Sequence, residues 1–314
     1  MNLLFVADPL EAFQTYKDTT FAMMREAQRR GHRIAACEPR HISWRSGGLV
    51  HALVRDVALT GTLDDWFAQE RTQVRPLREF DAIVMRKDPP FDGEYFYATH
   101  MLQQAEREGA RVFNRPAALR DHPEKLAIME FAQFTGPTLV TREAEEVKRF
   151  HAEHGEIILK PLDGMGGMGI FRVGADGLNL GSIIETLNGQ GTTTIMVQRF
   201  LPEIAQGDKR VLIIGGKPVP FSLARIPQGS EIRGNLAAGG KGVAQPLSAR
   251  DAQIANAIGP VLAARGLLLV GLDVIGECLT EINVTSPTCF QEIGQQTGFD
   301  VAAMFLEALE QAAA

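Results

Sequence analysis

The sequence predicts an α/β fold, α+β in part, built as an N-terminal parallel-sheet domain followed by a second domain of two smaller units. Three observations carry this. In the first third, short apolar runs alternate with helical spacing, at residues 3–7, 21–30 and 33–36, the pattern of strands laid parallel by crossover helices. In the middle, the apolar run Ile157-Ile158-Leu159-Lys160-Pro161 leads into four glycines between Gly164 and Gly169 and then a second strand. Near the end, the stretch 271–283 reads as a hairpin with Asp273, Glu281 and Asn283 set in otherwise apolar strands.

Composition narrows the class. A chain of 314 residues, 45% hydrophobic and 22% charged, buries a sizeable core in two or three subdomains. A formal charge of −6 argues against a general nucleic-acid or anionic-membrane binder. Cys37, Cys278 and Cys289 are far apart and form no CxxC pair, so reduced thiols and a cytoplasmic setting are expected, without disulfides or zinc. The N-terminus turns acidic at Asp8 too soon for a signal peptide, and no apolar run is long enough to span a bilayer.

Taken in order, residues 3–7 form a buried strand, 21–30 a helix stopped by Gly31, and 33–36 a strand back in the sheet. Residues 40–78 leave helix and strand open. Residues 81–85 form another buried strand, running into Arg86-Lys87-Asp88-Pro89-Pro90 at its carboxyl end, where α/β sheets place ligand contacts; a solvated loop is the competing reading. A helix at 94–108, a strand at 111–113 and a turn at Asn114-Arg115-Pro116 complete the first domain, 1–122. Pro123 opens a helix expected to reach Phe134, with Lys125 in its first turn. A cation is poorly placed there unless an anion lies in front of it. A strand at 138–141, a helix at 143–154, the glycine hairpin, a helix at 182–187 and a strand at 194–200 make one subdomain, 123–201. The other, 202–314, holds a hairpin at 209–227 turning at Gly215-Gly216, the glycine-bearing stretch 228–243, a helix at 249–264, strands at 267–275 and 279–284, and a terminal helix at 301–309.

Two stretches carry chemistry. Glycines let successive backbone N–H groups converge on an anion, and Lys160 at the mouth of such a loop is a point charge suited to phosphate. The loop lacks the Gly-Lys-Ser/Thr of a Walker motif, and its glycines lead into a strand, unlike a Rossmann turn. A flexible hairpin closing on nucleotide phosphates fits best, against the plainer reading of a glycine hairpin beside a surface lysine. In the acidic hairpin, Glu281 and Asn283 share one face of their strand. Such hard oxygen donors suit Mg2+ held together with phosphates; salt bridges to arginines are the alternative. Register matters. A two-residue turn at Gly276-Glu277 would set Asp273 opposite Thr280, on the wrong face. A three-residue turn or an equivalent bulge sets Asp273 opposite Glu281, and the metal chemistry selects that register.

Together these stretches resemble the ATP-grasp ligases, and among them the bacterial glutathione synthetase family, over nearly the whole chain. The motifs that carry the resemblance are 17–23 (KDTTFAM), 85–92 (MRKDPPFD), 159–167 (LKPLDGMGG), 223–229 (LARIPQG), 233–240 (RGNLAAGG) and 279–288 (LTEINVTSPT). The resemblance implies an ATP-grasp fold for 123–314. It implies ATP phosphates on Lys125 and Lys160 under Gly164, Met165, Gly166 and Gly167, with Gln198, Arg199, Phe200 and Leu201 near the adenine and Asp208 close by. It assigns Asp273, Glu281 and Asn283 to Mg2+, with Mn2+ as a second candidate. Arg210, Arg225 and Arg233 fall around the reacting phosphoryl and carboxylate groups, with Asn235, Ser286, Thr288 and Arg86 on the substrates and residues 226–241 as a mobile lid. Met168-Gly169 departs from the small residues expected there.

The activity so implied joins γ-glutamylcysteine to glycine at the expense of ATP, through an acyl phosphate, in a cytoplasmic homotetramer that engages neither nucleic acid nor membrane. No Ser-His-Asp or Cys-His arrangement suggests a covalent enzyme intermediate. The rival readings are another ATP-grasp amino-acid or peptide ligase, since the fold does not fix the substrate, and a non-catalytic ATP-binding module.

Overall fold

A computed structural model describes residues 1–314 apart from Asp64 and Ser230; the side chains of Gln69 and Glu70 are not described. Ser230, inside the expected lid, therefore lies outside the described residues.

The first sheet grows from β1 (Asn2–Val6), every residue of which is buried. Helix α1 (Thr19–Arg29) begins where the Asp18 side chain accepts from the Phe21 N–H and returns the chain to β2 (Arg33–Cys37). Strands β3 (Ile42–Ser43), β4 (His51–Leu59), β5 (Phe67–Pro76) and β6 (Ala82–Met85) follow, then α2 (Gly93–Arg107), β7 (Val112–Phe113) and α3 (Pro116–Asp121). The expected parallel core is β2-β1-β6-β7. The undecided stretch 40–78 adds β4 antiparallel to β2, with β3 and β5 each antiparallel to β4, making seven strands.

Residues 127–134 form a 3-10 run kinked at Phe131, in place of the α-helix expected from Pro123. Lys125 precedes it in a turn, so its position owes nothing to a helix dipole. The second sheet follows as β8 (Thr138–Thr141), α4 (Ala144–His154), β9 (Ile157–Pro161), β10 (Phe171–Val173), α5 (Leu180–Asn188) and β11 (Ile195–Arg199). It is antiparallel, in the order β10-β9-β11-β8, with its own small core of Val147, Ile157, Leu159, Ile184 and Val197.

The third sheet is β12 (Asp208–Ile214), β13 (Lys217–Ile226), β14 (Lys241–Pro246), β15 (Leu269–Ile275) and β16 (Cys278–Asn283), with α6 (Ala249–Ala264) between β14 and β15. It is antiparallel in the order β14-β13-β12-β15-β16. The end of the expected lid thus belongs to a strand. After β16 come α7 (Phe290–Thr297) and α8 (Val301–Ala313). Helix α8 packs on α1, and Phe305, Leu306 and Leu309 share one core with Leu3, Phe5, Phe21 and Met24. Arg30 and His32 meet Glu310 at 2.8 and 2.6 Å.

The acidic hairpin takes the register that the metal chemistry demands, by the bulge and not the longer turn. Ile275 pairs with Cys278 across the two-residue turn and Val274 with Leu279; the ladder then shifts, and Asp273 pairs with Glu281 and Gly271 with Asn283. Thr280 is the inserted residue. Its hydroxyl donates to the Asp273 carbonyl at 3.1 Å, which fixes the bulge from inside.

Candidate active site

The second and third sheets enclose a cavity of about 330 Å3. Its roof is the glycine loop after β9 and its walls are β12, β13, β15 and β16; residues 232–237 close one side and 285–289 another. Every residue nominated from the sequence lines it except Arg86. Arg86 is buried beside the cavity, where its Nε donates to Thr20 Oγ1 at 3.1 Å and its Nη2 to the Pro287 carbonyl at 3.0 Å. With Ser286 Oγ donating back to the Arg86 carbonyl at 3.3 Å, Arg86 holds the turn that carries Ser286 and Thr288.

The floor is a buried charge network. Asp273 Oδ1 accepts from Arg210 Nε at 2.6 Å, and Asp273 Oδ2 lies 2.9 Å from Arg225 Nη2. Arg225 also binds Asp208. The three strands place these groups together by register, since Arg210 lies opposite Asp273 and Asp208 opposite Arg225. Burial works against the Asp273 carboxylate, but the two guanidiniums hold it well below the usual range. Burial pushes Asp208 the other way, and the Asp273 charge adds to the push against the pull of Arg225.

Two lysines meet the glycine loop from below. Lys125 Nζ donates to the Gly164 carbonyl at 2.5 Å and the Leu162 carbonyl at 3.3 Å, and lies 3.3 Å from Glu281 Oε1. Lys160 Nζ reaches the carbonyl of Thr280, the bulged residue, at 3.4 Å. Lys160 is buried, and this together with the nearby Lys125 charge lowers its pKa, while Glu281 opposes the shift. Both cations thus rest on backbone carbonyls at the base of a glycine-lined hollow, an arrangement chemically able to receive an anion such as phosphate.

The glycine loop touches the stretch expected to act as a lid. Arg233 Nη1 donates to the Gly167 carbonyl at 3.2 Å. Gly167 has φ +86°, and a Cβ on it would meet Arg233 Cδ and Asn235 Oδ1 at 2.9 Å. Gly234 is needed for a different reason: a Cβ there would stand 2.1 Å from the Arg225 carbonyl. Met168, the departure noted in the sequence, is 63% exposed and lines the cavity beside the glycines. At the far end, Gln198 Nε2 donates to Thr138 Oγ1 at 3.1 Å, and the N–H groups of Arg199 and Phe200 are taken by Pro137 and Glu156 carbonyls.

Sequence reasoning missed Glu124, Thr285 and Cys289, which also line the cavity. Glu124 carries no signal of its own, being one more charge beside Pro123 and Lys125. Burial and the neighbouring Glu281 carboxylate raise its pKa, against hydrogen bonds from Thr285 and Val284.

Comparison with known proteins agrees in both halves. Residues 1–120 match the N-terminal domain of prokaryotic glutathione synthetase, and residues 124–298 match its ATP-grasp domain. The chain is 61% identical to a glutathione synthetase of Ralstonia nicotianae, with all of this chain and 96% of that one aligned. It is 56% identical to one from Neisseria meningitidis, over 98% of each chain, and 50% identical to one from Shewanella oneidensis, over 99% and 98%. Among solved structures it superposes on the D-cycloserine synthetase DcsG with a TM-score of 0.70 at 14% identity, covering all of both chains. It also superposes on the ATP-grasp ligase PsnB, solved with a precursor variant, Mg and ADP, with a TM-score of 0.62 at 18% identity, covering 100% and 99%. These two distant structures share the fold, and the close relatives decide the lineage: the chain belongs to the prokaryotic glutathione synthetase family, ligases of the ATP-grasp fold.

Proposed function

We propose that this cavity ligates γ-glutamylcysteine to glycine through an acyl phosphate, releasing glutathione, ADP and phosphate, with the work divided among the residues above. A carboxylate does not react with an amine at neutral pH, so the γ-phosphoryl group of ATP must first pass to the cysteinyl carboxylate. Lys125 and Lys160 hold the phosphates under the loop 164–167, and the strand exit 198–201 holds the adenine. Arg210 and Arg225 meet the charge that spreads over the transferring phosphoryl group, where fixed cations contribute most. Arg233 and Asn235 come in with the lid, and Ser286 and Thr288 bind the substrate chain. Glycine's amine then attacks the acyl carbon and phosphate leaves. Residues 226–241 close over the cavity so that water does not attack first.

A divalent cation fits the donors present. Among the described residues no three His, Cys, Asp or Glu side chains cluster to cage an ion. Asp273, Glu281 and the Asn283 amide instead share one wall, and Asn283 Nδ2 donates to the Gly271 carbonyl at 3.2 Å. An oxygen-only wall with few protein ligands suits Mg2+, or Mn2+, completed by phosphates and water. When bound there, the ion neutralises phosphate charge.

The observation that carries the reading is the convergence of two lysines, three arginines and an oxygen-rich wall beneath a glycine loop in contact with its lid. Phosphate release measured with each substrate omitted in turn tests it. Full turnover requires ATP, γ-glutamylcysteine and glycine together; equal turnover with another amine or peptide would assign a different ligase, and none with any acceptor a binding module. The same reading takes residues 1–122 as the substrate and assembly domain of a cytoplasmic homotetramer, which light scattering on the eluted protein checks. No helix is long and apolar enough to cross a membrane among the described residues.

A further inference from the structure

We infer that Glu124 is a positioning residue that fixes β16 and thereby sets Glu281 and Asn283 at the metal wall. β16 is the last strand of its sheet, paired with β15 on one side and bridged on the other at Leu279 to Thr135, which leaves the Glu281 and Asn283 end of the strand to other contacts. An edge strand is the least constrained place in a sheet from which to aim two ligands. Glu124 grips that edge twice. Its main-chain carbonyl accepts from the Ile282 N–H at 3.0 Å, between the two ligands. Its side-chain Oε1 accepts from the Val284 N–H at 2.8 Å, the Thr285 N–H at 2.9 Å and Thr285 Oγ1 at 2.8 Å. The next residue, Lys125, pairs with Glu281 itself. Residues 124–125 therefore touch 281, 282, 284 and 285, and Ile282 is turned into the core with no exposed surface. Three donors on one oxygen, two of them from consecutive main-chain N–H groups, hold the strand exit in a single geometry. The same grip ties the strand to Lys125, so phosphate cation and metal wall are positioned by adjacent residues.

This rests on the proposed assignment of Glu281 and Asn283 to the metal, and the test separates the two claims. Three variants, Glu124→Ala, Glu124→Gln and Glu281→Gln, are compared with wild type. The readouts are calorimetric binding of ADP with and without Mg2+, and the Mg2+ dependence of phosphate release. Glutamine keeps an acceptor oxygen, so Glu124→Gln is expected within about threefold of wild type in half-saturating Mg2+. Alanine removes it, and Glu124→Ala is expected to raise that concentration at least about tenfold while leaving Mg2+-free ADP binding within about twofold. Should Glu124→Ala fail to fold, Thr285→Val, which removes the hydroxyl donor, is expected to give about a threefold rise. Wild-type Mg2+ dependence in the variant that folds would overturn the inference. So would equal loss in Glu124→Gln and Glu124→Ala, which would make the charge and not the grip the active feature. Unchanged Mg2+ dependence in Glu281→Gln would instead overturn the metal assignment.

Discussion

Asp273→Asn gives the sharpest test of the floor of the cavity, because it separates stability from chemistry. Asp273 is buried between Arg210 and Arg225, themselves buried. Removing one partner of such a set strands the others, and breaking a buried pair costs about 3–5 kcal/mol. Arg225 keeps Asp208, whereas Arg210 loses the carboxylate that faces it. The low end applies, about 3 kcal/mol, and at roughly 2 °C per kcal/mol for a chain of this size the melting temperature falls by about 6 °C. Adding Arg210→Met removes the stranded cation and should recover most of that loss. Turnover should be lost in both the single and double variants, since Asp273 and Arg210 line the cavity proposed to carry the reaction. The pH dependence has a definite sign. The folded carboxyl lies below its ordinary 3.8, so its contribution is full above that pH and disappears as pH falls through the folded value. The gap between wild type and Asp273→Asn should stay constant from pH 8 to about pH 5 and close only in stronger acid. Thermal melts of the three proteins across that range, with phosphate release alongside, are the assay. An unchanged melting temperature in Asp273→Asn would refute the network as a stabilising element, and failure of Arg210→Met to restore it would refute the stranded-cation argument.

Other expectations follow from the same geometry. Lys160→Met should abolish ATP binding yet stabilise the ligand-free protein by about 1–4 kcal/mol, because it removes a desolvated cation. The lysine's folded pKa lies below 10.5, so that advantage should be largest at low pH and shrink as pH rises toward 10.5; a destabilised variant would contradict this. Gly234→Ala would put a Cβ 2.1 Å from the Arg225 carbonyl and should unseat the lid. ATP binding should survive while the ratio of phosphate to glutathione rises well above one, and tight coupling in this variant would remove the lid from the mechanism. Arg86→Met should raise the KM for γ-glutamylcysteine through the Ser286-Pro287 turn, leaving ADP affinity within about threefold; equal loss of both would argue for a wider collapse.

The parts of this molecule that were legible in the sequence are those where one local rule acts alone. β6 and, after Asn2, β1 are wholly apolar because the sheet is covered on both faces, and α1 is closed by Asp18 at one end and Gly31 beyond the other. The glycine loop and the acidic hairpin announced themselves by residues that no core would choose. Strands β4 and β5 did not, since each mixes inward apolar positions with Arg55, Asp56, Arg71 and Arg75, and Leu53 and Val74 face solvent. The segment 123–134 reads as a helix by composition but is bent to bring Lys125 under the loop, a tertiary demand with no local trace. The bulge at Thr280 was inferred only as one of two routes to a register, because a hydroxyl bonding back to Asp273 leaves no period behind. Glu124 was invisible for a like reason: its side-chain donors lie 160 and 161 residues away.

The packing of α8 on α1 has a consequence for the order in which the chain matures. Phe305, Leu306 and Leu309 complete the apolar layer over Leu3, Phe5 and Phe21. A nascent chain that has just released residue 122 holds every strand of its first sheet but lacks this cover. About 180 further residues must be added before α8 emerges, on the order of ten seconds or more at ordinary synthesis rates. During that interval the α1 side of the first sheet is an exposed apolar surface on the ribosome. Its completion therefore waits on both later sheets, and Glu310, which pairs with Arg30 and His32, seals it only once α8 has emerged.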